Sequence, residues 1–330
     1  MSFATASGHQ DLSAYIEPIL SDQILTRFSC ESKFTEMTTA GYLEPLKNCG
    51  DTIRFIRMGG SSVRPYTKNQ PLKPGKFGRD VVIVRDSKGA YYYIKMNDVD
   101  RKQICNSDQM IDMYLKDTVH KMSQMIELDV LCNMIAGVDS NNMGRCAGAK
   151  SHCYDMGALG SPLKVNCDNF YKLLLLHMQV LREACAVDTG HGQHICGPGN
   201  GGGEPFIMLP WKAYPIFVEG LSKGYCCDVK DSTPIITGRI PDKVHGFHLF
   251  FSHDIPWYED CGEQVFHIVA GRRDATGFTI TMDQSEKCRP CDDFADFYKG
   301  LTTWASGVIY PEALTRSAVC FEYDADLSFK

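Results

Sequence analysis

The sequence predicts an α+β fold built from local hairpins around one dominant helix. Alternating runs near 51–58 and 81–96 are separated by turn-rich stretches rather than by helices, which suits antiparallel pairing. Between 107 and 137 apolar residues recur every three or four positions, the period of a helix packed on one face. Strands and helices do not alternate regularly along the chain, so a parallel βαβ sheet is not expected.

From the N-terminus, Leu12, Tyr15, Ile16, Ile19, Ile24 and Phe28 stand at near-helical spacing. Pro18 interrupts the pattern, because a proline ring blocks a helix interior. Two short helical pieces fit as well as one. Residues 30–50 read as irregular, with Pro45 and Gly50. "DTIRFIRM" (51–58) reads as a strand. The stretch 59–80 is rich in Gly and Pro and carries Arg64, Lys68, Lys73, Lys76 and Arg79 against Asp80. It cannot bury a core of its own, and a long structureless stretch in a folded protein usually has a function. "VVIV" (81–84) and "AYYYIKM" (90–96) flank a turn at "RDSKG". The whole of 51–97 therefore reads as a long β arm with a basic tip.

Next comes the long helix, with Ile111, Leu115, Val119, Met122, Ile126 and Val130 on its apolar stripe and Gly137 at its end. At 1.5 Å per residue it would span roughly 46 Å. Ser107 suits the N-cap and Asp108 the first turn. Asp112–Lys116 and Asp117–Lys121 are acid-before-base pairs one turn apart. The methionines at 110, 113, 122, 125 and 134 read as adaptable core fillers. After a Gly/Cys-rich loop at 141–165, a second helix is expected over 167–185. "PFIMLP" reads as a strand and "WKAYPIFVEG" as a short helix that Pro215 disturbs. "VHGFHLFFSHDIP" (244–256) reads as a strand, "EQVFHIVAGRRDATGFTITM" as two more, and the region after 307 as closing β structure.

Several groups invite chemistry, and each has a plainer reading. "GPGNGGG" (197–203) lacks the lysine and hydroxyl of a P-loop and precedes a strand, whereas a phosphate cradle opens a helix. "CRPC" (288–291) is half of a zinc motif. "CC" at 226–227 or His191, His194 and Cys196 could complete it, without paired spacing; a proline turn is the simpler account. His245, His248 and His253 alternate faces on a strand, so a three-histidine site would need a bend. No Gly-x-Ser-x-Gly elbow is present. Asp98 and Asp100, in "IKMNDVDRKQ", could be an acid/base or Mg²⁺ pair. They also precede a long helix whose positive end favours negative charge, with Arg101 and Lys102 as neighbouring partners.

Composition narrows the class. A net charge of −6 over 330 residues argues against gripping nucleic acid over the whole surface, which needs clustered Lys and Arg. No apolar run approaches the roughly 18–20 residues of a membrane span. The first residues, "MSFATASGHQDLSAY", lack the pattern of a secretory signal, so synthesis and folding in a cytoplasm are expected. Fifteen cysteines in a chain of this length read mostly as buried thiols rather than a disulfide scaffold. No cofactor is indicated.

Taken in order, several segments resemble the major capsid proteins of tailed bacteriophages, the Hong Kong 97-type fold. "GDTIRFIR" resembles the strand leading into that family's extended loop, and "YYYIKMNDVDRKQ" its returning strand and junction with the spine helix. "MIDMYLKDTVHKMSQMIELDVLCNMIAG" is similar to the spine helix. "PFIMLPWKAYPIFV" resembles the strand and helix of the axial domain. "GFHLFFSHDIP", "HIVAGRRDATGF" and "FADFYKGLTTWASGVIYPEA" resemble the closing strands. The resemblance implies an N-terminal arm (1–50), an extended β loop (51–97), a peripheral domain with the spine helix (98–165), an axial domain (166–290) and a return to the peripheral domain (291–330). It implies a non-enzymatic shell protein of the virion, assembled in the host cytoplasm from hexamers and pentamers of itself. Scaffolding, portal and decoration proteins and non-specifically packaged double-stranded DNA would be its partners, with no membrane. Arg64, Lys68, Lys73, Lys76 and Arg79 would make inter-subunit contacts, and Asp98, Asp100 and Arg101 would form the joint between loop and spine. An encapsulin-like shell, or an enzyme using the Cys/His clusters, are the alternatives. A compact monomer of 36.9 kDa would expose about 13,600 Å²; a shell subunit with projecting parts should expose more.

Overall fold

The computed structural model describes residues 34–38, 52–58, 79–85, 88–103, 107–184, 205–224, 243–289 and 294–323. The expected helical stretch at 12–28, the tip at 59–78 and the "GPGNGGG" loop lie outside these residues.

Two larger sheets, a separate two-stranded pair and one long helix organise the described residues. β1 (Thr52–Met58) and β2 (Arg79–Arg85) form an antiparallel pair from Thr52↔Arg85 to Met58↔Arg79. β3 (Lys88–Asn97) does not join them. It pairs with β11 (Ala295–Val308), which pairs in turn with β10 (Thr276–Cys288). The expected single arm over 51–97 is thus two structures, because Tyr92 and Ile94 have a core to enter. Tyr92 is buried and Ile94 packs beside it, while Tyr91 and Tyr93 on the other face are exposed.

The second sheet has seven strands in the order β4-β12-β9-β5-β7-β6, with β8 also on β9. Here β4 is Leu163–Val165, β5 Pro205–Pro210, β6 Lys243–Val244, β7 Phe247–Ser252, β8 Trp257–Asp260, β9 Glu263–Arg272 and β12 Leu314–Phe321. β12 runs parallel to β4 and antiparallel to β9, and β5 runs parallel to β7. The expected boundary at 290/291 separates β10 from β11, which pair along their lengths, and the final segment re-enters the larger sheet as β12. Sheet membership therefore cuts across that expected boundary.

The long helix covers Ser107–Ala136 and ends before Gly137, as the periodicity predicts. Asp117 and Lys121 form the expected one-turn ion pair at 2.7 Å. Met122 and Met134 fill the core, but Met113 and Met125 are exposed, so only part of the methionine set acts as filler. The helix covers the inner face of the three-stranded sheet, where Trp304 Nε1 donates to Asp129 at 3.0 Å. Its C-terminal end reaches the larger sheet, where Arg316 donates to the carbonyl of Ile135 at 3.5 Å. On the opposite face of that sheet, helix Phe170–Glu183 sets His177 against Thr315 and Ser317.

Three local expectations need correction. Helix Tyr214–Gly224 carries Pro215 in its first turn, where the missing N–H has no partner to lose, so the proline does not disturb it. Residues 244–256 are not one strand. His245 takes φ 49° and Gly246 φ 86°, making a turn between β6 and β7. The three histidines consequently lie apart: His245 meets Tyr171 edge-on, His248 is in β7, and His253 stacks on Trp211. Finally, 141–165 is built rather than loose. Gly157, at φ 74°, sits where any side chain would run into the Ala318 carbonyl. Asn142 donates to the carbonyls of Glu312 and Leu314 at 2.8 and 2.9 Å.

The isolated chain exposes 20,788 Å², well above the roughly 13,600 Å² of a compact monomer. No helix among the described residues is long and apolar enough to cross a membrane.

Candidate functional site

The joint between β3 and the long helix holds a linked network of charges. It begins with a short helix, Asp98–Gln103, whose first turn carries Asp98 and Asp100. Their charge faces the positive end of this short helix, with residues 104–106 between it and the long one. The Asp98 amide donates to the Phe294 carbonyl at 2.9 Å, tying the helix start to the entry of β11.

The hub is Asp296, near the start of β11, with its side chain 5% exposed. One carboxylate oxygen lies 3.0 Å from both Arg101 Nη1 and Lys287 Nζ, and the other 3.9 Å from Arg289 Nη1. Arg289 also pairs with Asp98. Three cations thus surround one buried carboxylate, and Arg289 links it to a second. A buried charge persists only when paired and hydrogen-bonded, and here the pairing joins the ends of β10 and β11 to the joint helix.

Of the joint residues read from the sequence, Asp98 and Arg101 belong to this network, but not as each other's partners. Their partners come from across the sheet, since residues three apart share one helix face and that face looks onto β10 and β11. Asp100 is exposed and pairs with no cation among the described residues. It lines a cleft of about 560 Å³ with Tyr93, Met96, Gln103, Ile111 and Tyr114. Asp98 and Asp100 are therefore not brought together around one point. Among the described residues, no three His, Cys, Asp or Glu side chains are placed to hold a metal. Asp296 could have been suspected from "FADFYKG", as a charge at the entry of an apolar strand; of its three partners only Arg101 was named from the sequence, and Lys287 and Arg289 gave no signal.

Arg64, Lys68, Lys73 and Lys76 lie outside the described residues. Arg79 opens β2 opposite Met58, and its side chain is likewise outside them. So are "CC" at 226–227, His191, His194 and Cys196. Of "CRPC", Cys288 is exposed at the end of β10 and Arg289 serves the joint.

Two of the described thiols are held protonated. Burial, with Glu263 accepting its S–H at 3.3 Å, pushes the Cys320 thiol up to about 11. Burial, and then Asp129, also raise Cys132. A raised pKa keeps a thiol protonated and a poor nucleophile.

The outer face of the three-stranded sheet mixes aromatic rings with charges. Tyr93 stacks on Phe297 at 5.4 Å, and Lys95 lies over the same ring. Lys299, opposite Tyr93 in register, pairs with Glu286 at 2.8 Å. Tyr91, Val99, Tyr114, Phe294 and Leu301 are exposed nearby in sequence or register.

No described protein family matches the chain, and no curated protein does. Solved structures do. The chain is similar to a structure of Mycobacterium phage Che8, with a TM-score of 0.58 and 13% identity over 88% of this chain and 91% of that one. It is similar to the mature capsid of bacteriophage PhiM1, with a TM-score of 0.57 and 15% identity over 88% and 87%. The capsid of cyanophage P-SCSP1u matches with a TM-score of 0.53 and 13% identity over 85% of each chain. The chain has the α+β fold of phage capsid proteins. In particular it is the Hong Kong 97-like form of that fold, with a long spine helix between a smaller and a larger sheet.

Proposed function

We propose that this chain is the major capsid protein of a tailed bacteriophage. It assembles as hexamers and pentamers of itself into an icosahedral shell enclosing double-stranded DNA. The observation that carries this reading is the likeness of fold to phage capsids along 85–88% of the chain. The aromatic rings exposed on the outer face of the small sheet support it, since such rings suit burial against neighbouring copies.

In this reading the three-stranded sheet and long helix form the peripheral domain, and the seven-stranded sheet the axial domain. Arg64, Lys68, Lys73, Lys76 and Arg79 contact the next subunit, whose acidic surface complements them. Asp98, Arg101 and Asp296 hold the angle at which β3 hands over to the spine. The protein acts by geometry rather than catalysis. It is assembled in the host cytoplasm, resides in the virion, touches packaged DNA without sequence preference, and meets scaffolding, portal and decoration proteins.

Electron microscopy of the purified protein, paired with a zinc assay, tests the reading. Uniform shells are expected. A monomer carrying stoichiometric metal and showing turnover would sink it.

A further inference from the structure

Two of the chain's crossings between the two larger sheets lie side by side. The chain leaves β9 for β10 through the turn Arg273–Ala275, and leaves β11 for β12 through Ile309–Ala313. These crossovers touch: the amides of Ile309 and Tyr310 both donate to the Ala275 carbonyl, at 2.8 and 3.1 Å. The exit of the long helix joins them, with the Asp139 amide donating to the Pro311 carbonyl at 3.2 Å. Arg272, ahead of the first turn, pairs with Asp274 and lies over the Tyr310 ring. A change in the angle between the sheets must be absorbed by these residues, since hinges fall at element ends where few backbone angles carry the motion.

A far part of the chain is fastened to that same turn. Met37 ends a one-turn helix, Phe34–Met37, and Thr38 follows it; both are fully buried, whereas Glu36 beside them is exposed. Met37 belongs to the main core. Arg273 Nε donates to the Thr38 carbonyl at 3.1 Å. A charge-assisted hydrogen bond thus ties the crossover to a chain segment anchored in the core by Met37, more than 230 residues away in sequence.

We infer that the crossover turn Arg273–Ala275 is a docking site for this chain's own segment Met37–Thr38, and that this clamp sets the angle between the two sheets. The occupant is identified by what is seated there: a methionine in the core and a backbone carbonyl on the guanidinium. Arg273 is a positioning residue in this scheme. With the clamp closed, Ala275 is held against Ile309 and Tyr310. With it open, the crossovers loosen while each sheet keeps its own ladder. The consequence for particles rests on the shell reading above: copies with a loosened clamp adopt a wider range of angles and build shells of mixed size.

Hydrogen exchange on the full-length subunit, with Met37→Ala, Arg273→Ala and the control Glu36→Ala, decides the matter. The expected result is exchange at the Ile309 and Tyr310 amides about tenfold faster in the first two variants, with β9 and β12 amides unchanged and Glu36→Ala like the parent. Exchange rising equally through both sheets would reduce Met37 and Arg273 to ordinary core and surface residues and overturn the inference, as would no change at Ile309 and Tyr310. Electron microscopy of the same variants should show a broadened size distribution; a parent distribution alongside fast exchange would overturn the control of angle. If the parent chain forms no shells, the shell reading fails, while exchange still decides the clamp.

Discussion

The imidazole of His177 is bridged on both sides by hydroxyls of one strand. Its Nδ1 lies 2.7 Å from the Thr315 hydroxyl and its Nε2 2.9 Å from the Ser317 hydroxyl. Thr315 in turn lies 3.2 Å from the Ala270 carbonyl. All three side chains are fully buried, and the relay runs from helix Phe170–Glu183 through β12 to β9.

Burial holds the His177 pKa down, from 6.5 to about 3. Burial, and then Arg316, lower His267 as well. The unfolded chain takes up a proton at His177 below pH 6.5 that the folded chain refuses until about 3. Stability is thus full above 6.5 and falls as pH drops through that window, by up to about 1.4 kcal/mol per pH unit for this group. Denaturant melts between pH 7.5 and 4.5 should show the loss, and His177→Asn should flatten it while lowering stability at pH 7.5. An unchanged slope would remove His177 as the cause.

Replacing Asp296 by Asn leaves Arg101, Lys287 and Arg289 facing one another. The cost should be roughly 2–4 kcal/mol, since a broken buried pair strands its partners. It sits toward the low end because those cations keep contact with water. Chemical denaturation measures it.

The two aspartates of the joint should separate. Asp98→Asn removes the partner of Arg289 and should reduce particle yield or stability. Asp100→Asn, at an exposed unpaired position, should leave subunit stability within about 0.5 kcal/mol. The double variant should impair assembly without loss of metal. Equal effects from the two single variants would contradict this geometry.

Gly300 lies against the ring of Tyr92, where a Cβ has no room. Gly300→Ala should cost about 1–3 kcal/mol by overpacking. Adding Tyr92→Leu should recover part of it, and a double-mutant cycle would show the coupling.

Charge reversal at Arg64, Lys68, Lys73, Lys76 and Arg79 should leave the melting of the subunit unchanged and abolish or slow assembly. The parent's assembly rate should fall with ionic strength, as steering between exposed charges is screened by salt.

The long helix was legible because a period sustained over thirty residues outweighs local exceptions. The class and most strands were legible for the same reason. Pairing was not. "AYYYIKM" announces a strand but not that its partner lies two hundred residues on at Ala295–Trp304, because alternation encodes faces and not neighbours. The candidate site shows the same split. Asp98 and Arg101 stood out through proximity in sequence, whereas Asp296, Lys287 and Arg289 enter it only through the register of β10, β11 and β3. His177 gave no signal, since an apolar helix face with one histidine looks the same whether the ring is a ligand or a buried bridge.

β12 lies between β4 and β9 in the larger sheet, and β11 lies between β10 and β3 in the smaller. Each of these two strands is thus made by the ribosome after both of its neighbours. Neither sheet can close until residues 295–321 have been synthesised, and such distant pairings are slow to form. A nascent chain lacking them exposes open strand edges, the form of the protein most prone to stick to others. In the shell proposed above, fitness for orderly self-association would arrive late and all at once, and a truncated chain should aggregate rather than poison an assembly as a half-folded copy.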